Sequence, residues 1–179
     1  MNRIPCFVLA AALLAPGAVA AQDAGAQVKR GEYLVTIGSC HDCHTPLMMG
    51  PGGPEPDMKR ALSGHPQDFV ITAPAATSGP WMAVASSTLT AWSGPWGVSF
   101  SANLTPDPET GVLRDFTEQQ FVQTLRTGRH QGQGRQILPP MPWPFIGQMT
   151  DNDLKAVFAY LRQVPAVRNK VPDPIPPAN

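Results

Sequence analysis

The chain has 179 residues, with 13 Lys and Arg balanced by 13 Asp and Glu. Only 15% of residues are charged and neither sign forms a block, which argues against nucleic acid as a partner. Proline (21) and glycine (16) are abundant, so long ordered loops are expected, and something must organise them.

Asn2 and Arg3 precede an apolar run from Ile4 to Leu14, followed by Pro16-Gly17 and the small residues Ala18-Val19-Ala20-Ala21. This order predicts a secretory leader, residues 1–21, cleaved after Ala20 or Ala21, and therefore export to the periplasm. Pro5 and Pro16-Gly17 interrupt the run and weigh against the rival reading, a retained membrane anchor. No later segment has the apolar length to span a bilayer, so residues 22–179 are read as one domain without a transmembrane segment. Losing Arg3 with the leader leaves twelve basic against thirteen acidic residues, 13 − 1 = 12.

The first helix is predicted over about 27–37, where Val28, Gly31, Leu34, Val35 and Gly38 recur at helical spacing. Directly after it stands Cys40-His41-Asp42-Cys43-His44. Two thiols three residues apart followed by histidine read as covalent haem attachment: the thiols add to the two vinyl groups, and the imidazole meets the iron. A thioredoxin-like pair would need a preceding strand, and structural zinc would need two more ligands, whereas Cys6 lies in the leader and Cys40 and Cys43 stand alone in the mature chain. His44 is thus the proximal ligand, with its other ring nitrogen expected to donate to a carbonyl of Thr45-Pro46 or of the loop 50–56. His41 is read as an exposed or haem-rim side chain.

Residues 63–100 form an insertion with two Gly-Pro-Trp tripeptides, at 79–81 and 94–96. A short strand or hairpin is expected over Met82–Trp92, with Trp81, Trp92 and Trp96 as apolar cover for the haem. The turn Asn103 to Asp107 is either a haem-propionate pin or an Asx turn. A second helix is predicted over 118–126, with Thr117 as N-cap, Gln120 completing a capping box and Gly128 as the stop. Arg126, Arg129 and Trp143 are candidate donors to the haem propionates, with a plain surface role as the alternative for each arginine. A third helix follows Thr150, with Leu154, Val157, Phe158 and Leu161 on one face, and an extended Pro-rich tail begins near 165.

The sixth iron ligand has several candidates: Met48, Met49, Met58, Met82, Met141, Met149, His65 and His130. Met48 and Met49 follow His44 too closely to reach the opposite face of the ring. Met141 is preferred because Leu138-Pro139-Pro140-Met141-Pro142-Trp143-Pro144 is a stiff strap with little entropy left to lose. His65 and His130 remain alternatives, as does a plain core role for the methionine.

These pieces resemble the class I c-type cytochromes, in particular the monohaem domains that accompany bacterial dehydrogenases. The matching residues are Gly31-Glu32-Tyr33-Leu34, Cys40 to Pro46, Asn103-Leu104-Thr105-Pro106-Asp107, and Phe116-Thr117-Glu118 with Leu125-Arg126-Thr127-Gly128. Pro140-Met141-Pro142, Leu154 to Leu161 and Pro165-Ala166-Val167 complete them. The resemblance implies an all-α class I fold of three or more short helices around one haem c, with His44 and Met141 as the axial pair. It also implies an electron carrier rather than an enzyme, with a dehydrogenase as donor and a respiratory acceptor, as a monomer or a complex subunit. The alternative is a haem-based catalyst or sensor with a displaceable Met ligand. The departure from the smallest members is length: Met141 follows His44 at an offset of 97 positions.

Overall fold

The computed structural model describes residues 16–177. Residues 1–15 of the expected leader lie outside the described residues, and the first helix, α1 (Pro16–Ile37), is continuous across the expected cleavage point at Ala20 and Ala21. No helix among the described residues is long and apolar enough to cross a membrane.

The order along the chain is α1, α2 (Cys40–His44), β1 (Leu47–Gly50), β2 (Gly53–Pro56), β3 (Val84–Ala85), β4 (Ala91–Gly94), β5 (Gly97–Phe100), α3 (Glu118–Thr127), α4 (Trp143–Ile146) and α5 (Asp151–Leu161). The expectation of an all-α fold is wrong. Among the described residues, five α-helices share the chain with two antiparallel sheets, β1-β2 and β3-β4-β5. These strands escape a hydrophobicity reading because none exceeds four residues and most of their positions are Gly, Pro, Ser, Ala or Met. In β4 the alternation exists, but Ala91 and Ser93 are its buried members.

Two turns explain the hairpins. β1 and β2 join through Pro51-Gly52, with Gly50 opposite Gly53. β4 and β5 join through Pro95-Trp96, so the second Gly-Pro-Trp is a hairpin corner, and Trp96 folds back over Gly94 while its Nε1 donates to Ser99 Oγ at 3.2 Å. The hairpin expected over 82–92 is present as β3 paired with β4, with Val84 opposite Ser93 and Ala85 opposite Trp92, and β5 extends it by a third strand.

The helices pack as their sequences predict. Thr117 Oγ1 accepts from Gln120 N (3.2 Å) and Gln120 Oε1 accepts from Thr117 N (2.9 Å), closing the capping box of α3. Its C-cap, Gly128, has φ 66° and seats its backbone against the Trp143 ring. Thr150 caps α5 by accepting from Asp153 N at 3.1 Å. Leu34 and Val35 of α1, Phe121, Val122 and Leu125 of α3, and Leu154, Val157 and Leu161 of α5 form one buried core. Gly31 lets α1 cross α5 closely, because a Cβ there would overlap the Ala156 carbonyl. At Gly38, just past the end of α1, a Cβ would instead meet the Leu34 carbonyl.

The tail after α5 is extended and tied down. Val98 and Ile175 exchange backbone hydrogen bonds of 2.8 and 3.0 Å along the free edge of β5. Val167 N donates to Thr105 Oγ1 at 3.1 Å.

Candidate haem-attachment site

α1 stops because its chain turns left-handed at Ser39 (φ 56°), and α2 starts at Cys40. One turn of α2 puts Cys40 and Cys43 at i, i+3 and His44 at i+4 of the first thiol, so all three share a face. The preceding element is a helix, not the strand that a thioredoxin-like pair requires. Both thiols are free. Cys40 packs against the core, and its burial pushes its pKa up to about 11; burial also raises Cys43, with the Asp42 charge adding to it.

His44 is buried, and its Nδ1 lies 2.8 Å from the Ala102 carbonyl oxygen. The carbonyl can only accept, so Nδ1 carries the proton, and among the described residues Nε2 has no hydrogen-bond partner. Burial holds the imidazole below its ordinary pKa, against the pull of the Ala102 carbonyl. The acceptor is thus 58 positions away in sequence, not in Thr45-Pro46 or the loop 50–56 as expected. The only hint in the sequence was the Asn103 turn directly after it. Two free thiols on one helix face and a buried neutral imidazole with one open nitrogen fit a single covalent haem c. Among the described residues, no three His, Cys, Asp or Glu side chains form a metal-ion cluster of their own.

The remaining candidates separate clearly. His65 is fully buried with both nitrogens engaged, Nδ1 with Thr90 Oγ1 (2.9 Å) and Nε2 with Phe69 O (2.8 Å). His130 lies edge-on to Phe116. Met48, Met49, Met58 and Met82 are exposed, whereas Met141 and Met149 pack on the core cluster that Cys40 also borders. Met149 precedes the α5 N-cap, the staple position for Leu154. His41 Nδ1 pairs with Thr45 Oγ1 at 2.9 Å.

Arg126 is committed to the Gly147 carbonyl and to Asp151 (2.6 Å), and Arg129 to the Gly134 carbonyl (3.1 Å). Asn103 is buried with its amide consumed: Nδ2 donates to Val167 O (2.8 Å) and Oδ1 accepts from Thr105 Oγ1 (2.7 Å). Trp143 covers Gly128. Trp81 is 70% exposed.

No family model matches the chain. It is 30% identical over 161 residues to the cytochrome c subunit of alcohol dehydrogenase (quinone) from Gluconobacter oxydans (strain 621H), covering 88% of this chain and 26% of that protein. It is 31% identical over 135 residues to the gluconate 2-dehydrogenase cytochrome c subunit of Pantoea cypripedii, covering 75% and 22%. The fructose dehydrogenase cytochrome subunit of Gluconobacter japonicus is 27% identical over 134 residues, covering 75% and 20%. The chain thus spans about a quarter of the length of these curated relatives. With its attachment turn, its buried and tethered His44 imidazole and this kinship, the chain belongs to the class I c-type cytochromes, as a domain built for one covalent haem c.

Proposed function

We propose that this chain is an exported electron-transfer domain that accepts electrons from a dehydrogenase and passes them to a respiratory acceptor. Its haem c would be held by Cys40, Cys43, His44 and Met141. The observation that carries the reading is the buried His44 ring, fixed through Ala102 with Nε2 free, in the same helical turn as Cys40, which borders an apolar cluster that Met141 also borders. When bound, the haem supplies a one-electron ferrous/ferric couple. The protein's part is to keep the ligand geometry unchanged through that cycle. His44 is held by its carbonyl partner, and Met141 stands in the proline strap of residues 139–144. Ser99 Oγ, on β5, donates to Pro139 O, so the insertion buttresses the strap. A thioether sulfur raises the potential relative to a second imidazole, which suits a carrier fed by a dehydrogenase.

The leader, residues 1–21, would direct the chain to the periplasm and be lost after Ala20 or Ala21. The 63–100 insertion and the Pro-rich tail then belong to the same domain as the helices. Relatives named as subunits of alcohol, gluconate and fructose dehydrogenases support a dehydrogenase as donor.

Stopped-flow mixing of the haem-loaded protein with a quinone-dependent alcohol dehydrogenase or gluconate dehydrogenase tests this. Fast reduction that weakens little with salt is expected, because near-neutral charge gives little long-range steering. Failure of any such dehydrogenase to reduce it, or substrate oxidation by the isolated domain, would overturn the proposal.

A further inference from the structure

The acceptor for His44 is held from the far end of the chain. Ala102 sits between two pinned residues: Ser101 N donates to Thr90 O and Ser101 O accepts from His65 N, both at 2.9 Å, while Asn103 is locked by its side chain. Gly64 stands directly behind this segment, with φ 76°. A Cβ there would lie 2.6 Å from both the carbon and the oxygen of the Ala102 carbonyl, and Gly64 N donates to His44 O at 2.8 Å. The turn 63–65 therefore touches both partners of the proximal hydrogen bond.

Asn169 fixes that turn. Its Nδ2 donates to Ser63 O (2.7 Å) and His65 O (2.8 Å), one on each side of Gly64, and its Oδ1 accepts from Gln67 N (2.9 Å). The side chain is buried, and its own backbone N donates to Thr110 Oγ1 at 3.0 Å. Three side-chain bonds spread over residues 63 to 67 leave the turn no freedom to slide. A neutral amide is the side chain that can donate twice and accept once here.

We infer that Asn169 is a positioning residue for the haem ligand. By clamping the carbonyls of Ser63 and His65 it seats Gly64 against the Ala102 peptide and so sets the strength of the bond from His44 Nδ1–H. The inference rests on the reading of His44 as the axial ligand. A strong bond at Nδ1 makes the imidazole more basic, and a more basic ligand favours the ferric state. Loosening the clamp weakens the bond and raises the potential.

The test uses the haem-loaded protein and two variants, Asn169→Ala and Asn169→Asp. The aspartate keeps the side-chain volume and the acceptor for Gln67 N but loses both donors. Midpoint potential and the NMR exchange rate of the His44 Nδ1 proton are measured in each, with Thr117→Ala, which breaks only the α3 cap, as the control for lost stability alone. Exchange is expected to accelerate at least tenfold in both variants. The reduction equilibrium should shift several-fold toward ferrous, where tenfold equals 59 mV for one electron. Variants that lose thermal stability yet keep the wild-type exchange rate and potential would reduce Asn169 to a structural pin and overturn the inference. If neither variant accumulates, wild-type native-state exchange decides. The Asn169 side-chain amide, Gly64 N–H and His44 Nδ1–H should open as one unit, and independent opening overturns the inference. A wild-type protein without an iron-shifted His44 ring would instead overturn the ligand assignment beneath it.

Discussion

Replacing Gly31 with alanine probes the tightest point of the α1–α5 crossing. The added Cβ would overlap the Ala156 carbonyl oxygen and stand 2.6 Å from its carbon and 2.7 Å from Tyr160 Cβ. Carbon atoms rest about 3.5–4.0 Å apart, so the helices must separate by roughly 1 Å. Two of the three obstructing atoms are backbone, so no rotamer change relieves them. Over-packing of this kind costs about 1–3 kcal/mol and occasionally more, and a backbone-on-backbone clash belongs at the top of that range. Separation also loosens Leu34 and Val35 against Leu154 and Val157, at the centre of the core. Alanine returns up to about 1 kcal/mol through helix propensity. The net loss is therefore about 2–3 kcal/mol, or roughly 4–12 °C in Tm for a domain of this size. Thermal unfolding of the haem-loaded protein, followed by circular dichroism, measures it. A Tm equal to or above wild type would refute the reasoning, because propensity would then outweigh the crossing.

Met141→Ala should abolish the sulfur-to-iron absorption of the oxidised protein and admit external ligands such as cyanide, while Met149→Ala should leave that band in place and lower stability only. Thr117→Ala removes the side-chain half of the α3 capping box and should cost about 1 kcal/mol in urea unfolding, with an unchanged midpoint counting against the cap. The Asp107 carboxyl is held below its ordinary pKa, first by the Thr110 hydroxyl and then by the Thr110 and Glu109 amides. Because the folded value is depressed, its stabilisation is complete above the ordinary carboxylate range, near pH 4, and is lost as pH falls through the lowered value. Thr110→Val should therefore flatten the acid limb of stability against pH, and an identical limb would show that Asp107 does not contribute to it.

How far the sequence revealed this molecule depended on whether an element carried a local signal. Thr117 with Gln120 marked α3, and Thr150 with Asp151 and Asp153 marked α5, because caps and first-turn acids are short-range chemistry. The Cys40 to His44 spacing was equally local. The β1-β2 hairpin has no strand signal in the sequence because Pro54 and Pro56 lie within it and Met48 and Met49 are both exposed, so no alternation betrays a buried face. The acceptor for His44 was sought nearby and found at Ala102, since a backbone carbonyl leaves no mark in a side-chain pattern. His65 shows the converse: a histidine plausible as an iron ligand proves to be fully engaged with Thr90 and Phe69.

The segment after α5 closes the structure around the middle of the chain. Asn169 bonds to Ser63 across 106 positions, and Ile175 pairs with Val98. Closing a loop of that length costs about 2 kcal/mol more than closing one of ten residues, so these contacts wait for the rest of the fold to bring their ends together. A ribosome-bound or partly exported chain still missing its C-terminus lacks Asn169, and with it the clamp on the turn behind Ala102. Such a chain keeps its proximal side loose. Late closure therefore suits the proposed order of events, in which the two thiols meet an incoming porphyrin before the tail seals the region behind the histidine.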